Sequence, residues 1–154
     1  MAPALLNGVA DARGVAGGAE HLCVLSRDGA VRCIGNNMWG QLGDGGADPS
    51  PRTFVVVRGL TDAVAISNGE SANTVALRAD GTVAQWGSVD PRRRALAAVP
   101  GLRDIVDVSA STGAACARRA DGAVFCWGSN SYNQLANGTG RESAVPVRIR
   151  GFGP

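Results

Sequence analysis

An all-β chain of three repeated four-strand units is what this sequence predicts, and three observations predict it. An Asp-Gly hairpin signal recurs three times with matching flanks. Runs rich in β-branched residues stand on either side of each signal. Gly supplies 22 of the 154 residues, about twice its ordinary share. That much Gly implies many tight turns, because Gly takes left-handed backbone without a steric penalty.

The hairpin is the first element. Its copies read Asp28-Gly29-Ala30-Val31-Arg32-Cys33-Ile34-Gly35, Asp80-Gly81-Thr82-Val83-Ala84-Gln85-Trp86-Gly87 and Asp121-Gly122-Ala123-Val124-Phe125-Cys126-Trp127-Gly128. Arg27-Asp28-Gly29 fits a three-residue loop, a type I turn closed by a left-handed Gly. That register sets Ser26 opposite Ala30, Leu25 opposite Val31, Val24 opposite Arg32 and Cys23 opposite Cys33. It sets Cys116 opposite Cys126 in the third copy and Val75 opposite Gln85 in the second. Both cysteines of a facing pair are thus kept together or replaced together, which supports the register independently. Ahead of the hairpin, Val64-Ala65-Ile66-Ser67 and Ile105-Val106-Asp107-Val108 read as a further strand per unit. Phe54-Val55-Val56-Val57 and Val145-Pro146-Val147-Arg148-Ile149 read as another.

Two more landmarks recur in fixed order. Gly8-Val9-Ala10-Asp11, Gly59-Leu60-Thr61-Asp62 and Gly101-Leu102-Arg103-Asp104 share one pattern, and Gly151-Phe152 begins it a fourth time. The spacings are 51, 42 and 50 residues. The other landmark is an arm, Asn37-Met38-Trp39-Gly40-Gln41-Leu42-Gly43-Asp44-Gly45. It has a weaker copy, Ser131-Tyr132-Asn133-Gln134-Leu135-Ala136-Asn137-Gly138. The second unit carries Ser88-Val89-Asp90-Pro91-Arg92-Arg93-Arg94 in its place. Four short strands per ~50 residues is the blade of a β-propeller. The expected organisation is one repeat domain over residues 1–154. Its repeats cover about 8–58, 59–100 and 101–150, with 1–7 and 151–154 as partial flanking pieces.

The blade signature Cys-x-Leu-x-x-Asp-Gly-x-Val-x-Cys-x-Gly, the Asn-x-x-Gly-Gln-Leu-Gly-Asp-Gly arm, and then Pro and Val-x-Gly-Leu resemble the regulator of chromosome condensation (RCC1) repeat. The resemblance spans essentially the whole chain. It is specific in the first repeat, good in the third and partial in the second, and Arg118 departs from the Leu25 and Leu77 of the other two. It implies a propeller, most familiarly of seven blades, and protein partners. Familiar members act as exchange factors for a small GTPase and bind chromatin, or inhibit a β-lactamase. No residue here carries those activities over.

Closed propellers need about four blades or more, so three blades leave a strand edge and apolar blade faces uncovered. The chain is expected to belong to a longer propeller, to close by self-association, or to stand as an open arc. Ala2-Pro3-Ala4-Leu5-Leu6-Asn7-Gly8 resembles Val145-Pro146-Val147-Arg148-Ile149-Arg150-Gly151. Each terminus therefore offers a similar strand, which favours closure between copies, a two-fold pair giving six blades.

Composition excludes several chemistries. All 15 basic residues are Arg, which rules out mechanisms that need a lysine, such as P-loop and Schiff-base chemistry. A net charge of +2 is small for a polyanion binder, so nucleic acid is not the expected partner. No apolar run approaches the ~20 residues of a spanning helix, and no signal peptide is visible. The Arg-only, Ala- and Gly-rich composition suggests a bacterial gene.

Candidate site residues follow. Cys23, Cys33, Cys116 and Cys126 lack the close spacings of zinc ligands. They read as two cross-strand pairs, either disulfides or small reduced core residues. Oxidised, each pair would contribute roughly 2–3 kcal/mol by restricting the unfolded chain. Their paired loss in the second unit points to disulfides and an extracytoplasmic setting. The lack of a visible signal peptide points the other way. His21 reads as a hydrogen-bonded strand residue, since no base, nucleophile and orienting group come together in the pattern. The chain is therefore expected to be no enzyme and to need no cofactor or metal. Asp44-Gly45-Gly46-Ala47-Asp48 lacks the ligand pattern of a calcium loop. Asn137-Gly138-Thr139 is a glycosylation acceptor only in a eukaryotic secretory setting. Asp28, Gly29, Asp80, Gly81, Asp121 and Gly122 form the blade turns.

Arg92, Arg93 and Arg94 make the one basic cluster, a solvated loop or a patch for an acidic partner. Trp39 and Tyr132 occupy equivalent arm positions and are either interface anchors or packing between blades. The functional expectation is a non-enzymatic protein-interaction module. The alternatives are a self-assembling subunit whose main partner is another copy, or an exchange-factor or inhibitor role by family analogy alone.

Overall fold

The structure, a computed structural model, describes residues 8–9, 11–88 and 94–153. These residues contain no helix. The first sheet holds β1 (Ala12–Gly17), β2 (His21–Ser26), β3 (Val31–Gly35) and β4 (Val55–Val56). The second holds β5 (Ala63–Asn68), β6 (Thr74–Arg78), β7 (Val83–Trp86) and β8 (Ala97–Ala98). The third holds β9 (Ile105–Ala110), β10 (Ala114–Arg119), β11 (Val124–Gly128) and β12 (Ser143–Arg148). Each sheet is antiparallel, with its strands in chain order. Three such sheets stack face to face, with β1, β5 and β9 innermost and adjacent. They are propeller blades.

The hairpin register is the one the Asp-Gly turn implies. Cys23 pairs with Cys33, Val75 with Gln85 and Cys116 with Cys126. Ser26 N–H donates to the Ala30 carbonyl at 2.9 Å, and Gly29 sits at φ +83°. Asp28, Asp80 and Asp121 each accept the backbone N–H two residues on, which closes the turn. Since Ser26–Ala30 is a hydrogen-bonded pair, alternation makes Cys23–Cys33 a non-hydrogen-bonded one, where strands approach most closely. Its Cα atoms lie 4.1 Å apart and its sulfurs are bonded, as are those of Cys116 and Cys126.

The outer strands differ from the sequence expectation in length. β4 spans only Val55–Val56, although Val57 N–H still reaches the Val31 carbonyl. β12 starts earlier, at Ser143, and ends before Ile149, whose N–H bonds Val124 in the same way. Pro146 is tolerated because β12 is an edge strand. β1 and β8 had no sequence signal of their own, since Ala-Arg-Gly-Val-Ala-Gly and Ala-Ala lack a β-branched run.

The landmark between repeats is the hinge that stacks one blade on the next. Leu60 and Leu102 are buried between sheets. The Gly29 carbonyl accepts Ala63 N–H at 3.1 Å, and the Gly81 carbonyl accepts Ile105 N–H at 3.0 Å. The first two Asp-Gly turns thereby hold the first strand of the following blade. Two cores result. One joins Cys23, Cys33, Leu42, Leu60 and Trp86, and the other Val75, Val83, Leu102, Ala115 and Trp127. Trp86 is fully buried, which contributes on the order of 4–6 kcal/mol at ~25 cal/mol per Å2 over ~150–250 Å2. On the far side of the third blade the described residues form a small cluster, Ala114, Cys126, Leu135 and Ile149.

Candidate functional site

The arms stand at one end of the sheets, where β3 and β11 finish, and their motif residues explain their shape. Asn37 is the pivot. Its Oδ1 accepts Leu42 N–H at 3.1 Å, and its Nδ2 donates to Asp44 Oδ1 at 3.1 Å and to the Asp48 carbonyl at 3.2 Å. Asn130 repeats this, accepting from Leu135 N–H and donating to Asn137 and the Arg141 carbonyl. Gln41 Oε1 accepts Trp39 N–H, as Gln134 Oε1 accepts Tyr132 N–H. Leu42 and Leu135 are the buried plugs. Where the first arm has Gly40 and Gly43 at positive φ, the third has Asn133 and Ala136 at φ +58° and +44°. The weaker copy of the motif is the same loop.

The first arm lies on the second blade. Trp86 Nε1–H donates to the Gln41 carbonyl at 2.9 Å, and Ser88 N–H to the Trp39 carbonyl at 3.0 Å. A Cβ on Gly43 would come within 2.9 Å of the Trp86 ring, so only Gly fits there. Gln41 is buried by this contact, whereas Gln134 is exposed.

The described residues of the second blade form no such arm. Gly87 N–H donates to the Arg94 carbonyl at 3.0 Å. Arg94 then lies over the Trp39 ring, 5.0 Å from its centroid. It therefore serves the first arm, not the third blade. Trp127, the counterpart of Trp86, donates its indole N–H to Gln85 Oε1 at 2.6 Å instead of to a backbone carbonyl. Beside it opens a cleft of about 350 Å3 between the second and third blades. Asn73, Gln85, Gly87, Gly113, Trp127 and Ala144 are among its walls.

Of the other sequence candidates, Trp39 is about one-third exposed and Tyr132 is 90% exposed. Arg92 and Arg93 lie outside the described residues. His21 is buried, with Nε2 at 3.1 Å from Thr74 Oγ1 across the first blade interface. Burial lowers its pKa. The turn aspartates stand at the opposite end from the arms. Asp121 is held down to about 2, first by Arg119 and then by Ala123 N–H. The Thr82 hydroxyl and N–H lower Asp80. No three His, Cys, Asp or Glu side chains among the described residues come together as a metal site. Gln85 and the cleft were not singled out in the sequence. The signal was there: the one unit lacking its arm also carries Gln where the others carry Cys.

Two models of the Regulator of chromosome condensation (RCC1) repeat match the chain, one over residues 12–41 and 105–134 and the other over 121–154, together just over half of it. The chain belongs to the RCC1 repeat family. Neither model matches within the second unit, where the arm is missing. The crystal structure of human WBSCR16 is similar at a TM-score of 0.78 and 18% identity, covering 90% of this chain and 39% of that one. The crystal structure of Kap60 bound to yeast RCC1 (Prp20) gives 0.77 and 18%, over 93% and 38%. Prp20p from Saccharomyces cerevisiae, described with its binding to Gsp1p and histones, gives 0.75 and 19%, over 93% and 39%. These likenesses concern the propeller fold. The chain spans well under half the length of the structures it matches.

Proposed function

We propose that this RCC1-repeat chain is a non-enzymatic protein-interaction module whose blades complete a ring with further blades, supplied by a second copy or by a longer propeller. One observation carries the reading. The large exposed hydrophobics among the described residues lie on the first and third blades, including Val15, Val56, Val106, Tyr132 and Val145, or just past the third, as Phe152 does. The described residues of the second blade, covered on both faces, include none. Surfaces of that kind mark interaction sites. The arm-bearing end, with Trp39, Arg94 and Tyr132, is the surface offered to a protein partner, since rigid blades hold loops in fixed relation. The protein partners named for yeast RCC1 (Prp20) support a partner of that class and identify none for this chain.

Native mass spectrometry without reductant tests ring completion. A two-chain assembly that Val15→Asp or Val145→Asp splits into folded monomers is the expected result. A monomer at micromolar concentration that stays monomeric overturns self-association. A longer parent chain whose added blades cover Val145 would then assign the ring to that chain. A self-assembling subunit with no other partner is the second reading, favoured by the same exposed valines. It predicts no loss of partner capture on Trp39→Ala.

A further inference from the structure

We propose that the Cys116–Cys126 disulfide is a thiol-exchange site, open to a dithiol reductant on the outer face of the folded third blade, while Cys23–Cys33 is a sealed staple. The two pairs share a register, a hairpin and a sequence separation of 10 residues, so their surroundings alone separate them. Cys23 and Cys33 have no exposed surface and lie under Leu60 and the second blade's Ala63, Ala76 and Trp86. In the third blade, Ala115, Ala117 and Trp127 turn towards the second blade. Strand alternation therefore turns Cys116 and Cys126 the other way. They lie with Leu135 and Ile149, and Cys116 is only partly buried. Exchange proceeds through the accessible member of a pair, which here is Cys116.

Two further departures keep this face wet. Two places on along the same face stands Leu25 in the first blade and Arg118 in the third. Its cross-strand neighbour is Gly14 in the first and Asp107 in the third, and the two charges pair at 3.8 Å. A blade laid here must desolvate that ion pair, which weakens the cover. The side chains that cross the covered interfaces include His21, bonded to Thr74, and Asn73, bonded to the Ala114 carbonyl. Their counterpart in the third blade is Ala114, which has no polar group to reach with. The exchange step balances within the reactants. A thiolate of the dithiol attacks the Cys116 sulfur, a mixed disulfide forms, and the Cys126 sulfur leaves with the electron pair and takes a proton. The reductant's second thiol, after losing its proton, attacks the reductant's own sulfur in the mixed disulfide and releases Cys116, which takes a proton. The reductant is oxidised to a disulfide by two electrons, and the cysteine pair is reduced to thiols. Ring completion over this face closes the same route, so assembly and exchange compete.

The probe is limiting dithiothreitol added to the full oxidised chain, with timed iodoacetamide quenching and peptide mapping of the alkylated cysteines. Cys116 and Cys126 are expected to open about tenfold or more faster than Cys23 and Cys33, and the species opened only there should keep its circular dichroism. Urea below the unfolding transition should leave their rate nearly unchanged and accelerate the first pair, which opens only when the blades part. Equal rates overturn the proposal, as does earlier opening of Cys23–Cys33. A urea dependence as steep for the third blade's pair as for the first's overturns it too. Native mass of the same sample reports the number of chains separately. Fast opening in a monomer supports the site even where ring completion fails. Slow opening in a two-chain assembly, with fast opening in Val145→Asp monomers, supports the site together with ring completion. Slow opening in monomers overturns the site and leaves the module reading standing.

Discussion

Replacing Gln85 by Ala removes the acceptor of the Trp127 indole N–H, a 2.6 Å hydrogen bond spanning the second and third blades. Trp127 is 2% exposed, so no other side chain or bulk solvent freely takes over. An unsatisfied buried donor costs about 1–3 kcal/mol. The adjoining cleft admits water, which offsets part of this, so a loss of about 1–2 kcal/mol is expected. For a chain of this size each kcal/mol shifts the melting temperature by about 2–4 °C. The fall should thus be about 2–8 °C by circular dichroism. Trp127→Phe, made alone and with Gln85→Ala, turns this into a double-mutant cycle. The hydrogen bond predicts coupling above ~0.5 kcal/mol in urea unfolding, with Gln85→Ala near neutral once the indole is gone. Additivity within ~0.3–0.5 kcal/mol, the behaviour of independent sites, would refute the link between blade two's Gln and blade three's Trp.

Three further outcomes follow from the same geometry. Gly87→Ala places a Cβ 2.2 Å from the Ala72 carbonyl oxygen at φ +74°, while Gly101→Ala at φ +76° meets nothing within 4 Å. Gly101→Ala should cost only the left-handed backbone penalty of about 1–2 kcal/mol and Gly87→Ala clearly more, measured by urea midpoints; equal losses would remove the steric account. Reduction with dithiothreitol should lower stability by up to roughly 2–3 kcal/mol per opened pair in the chain-entropy model, and Cys116→Ala/Cys126→Ala should reproduce the third blade's share without reductant. His21 has its pKa lowered in the folded chain by burial, from an ordinary value of 6.5. The unfolded chain therefore binds the proton first: the stability contribution is complete above pH 6.5 and is lost as pH falls through the folded pKa. His21→Gln, able to keep a bond to Thr74, should flatten that part of a stability-versus-pH curve, and an unchanged slope would dismiss His21 as its source.

The hairpins were legible because both partners of each pair lie within a dozen residues and the turn chemistry fixes their register. Cys23 and Cys33 could be set opposite each other from Arg27-Asp28-Gly29 alone. β1 and β8 were not legible, since their pairing is imposed by neighbouring strands and not by their own Ala- and Gly-rich sequences. The arms were visible as a motif, but their destination was not. That Gln41 lies against the next blade, and that the Trp127 indole bonds the Gln85 side chain, are facts of stacking between units some fifty residues apart. Trp39, which the sequence offers as either anchor or packing, lies under Arg94 and is about one-third exposed.

The two departures of the second repeat, its lost arm and its lost cysteine pair, are physically one change, and this has a measurable consequence. Position 85 corresponds to Cys33, which is sealed under the first blade's arm side with Leu42 beside it. Without an arm of its own, the second blade leaves position 85 facing the cleft, and a long amide there both meets water and satisfies Trp127. Restoring the pair by Val75→Cys/Gln85→Cys regains covalent closure worth roughly 2–3 kcal/mol and at the same time orphans the indole, at about 1–2 kcal/mol. The net gain should be about 1 kcal/mol. Grafting residues 36–45 in place of residues 88–94 supplies a backbone carbonyl for Trp127, so the same two cysteines should then yield the full closure term. Urea midpoints of the cysteine pair with and without the graft separate the two cases. An equal gain in both backgrounds would mean that Gln85 and the missing arm are unrelated losses.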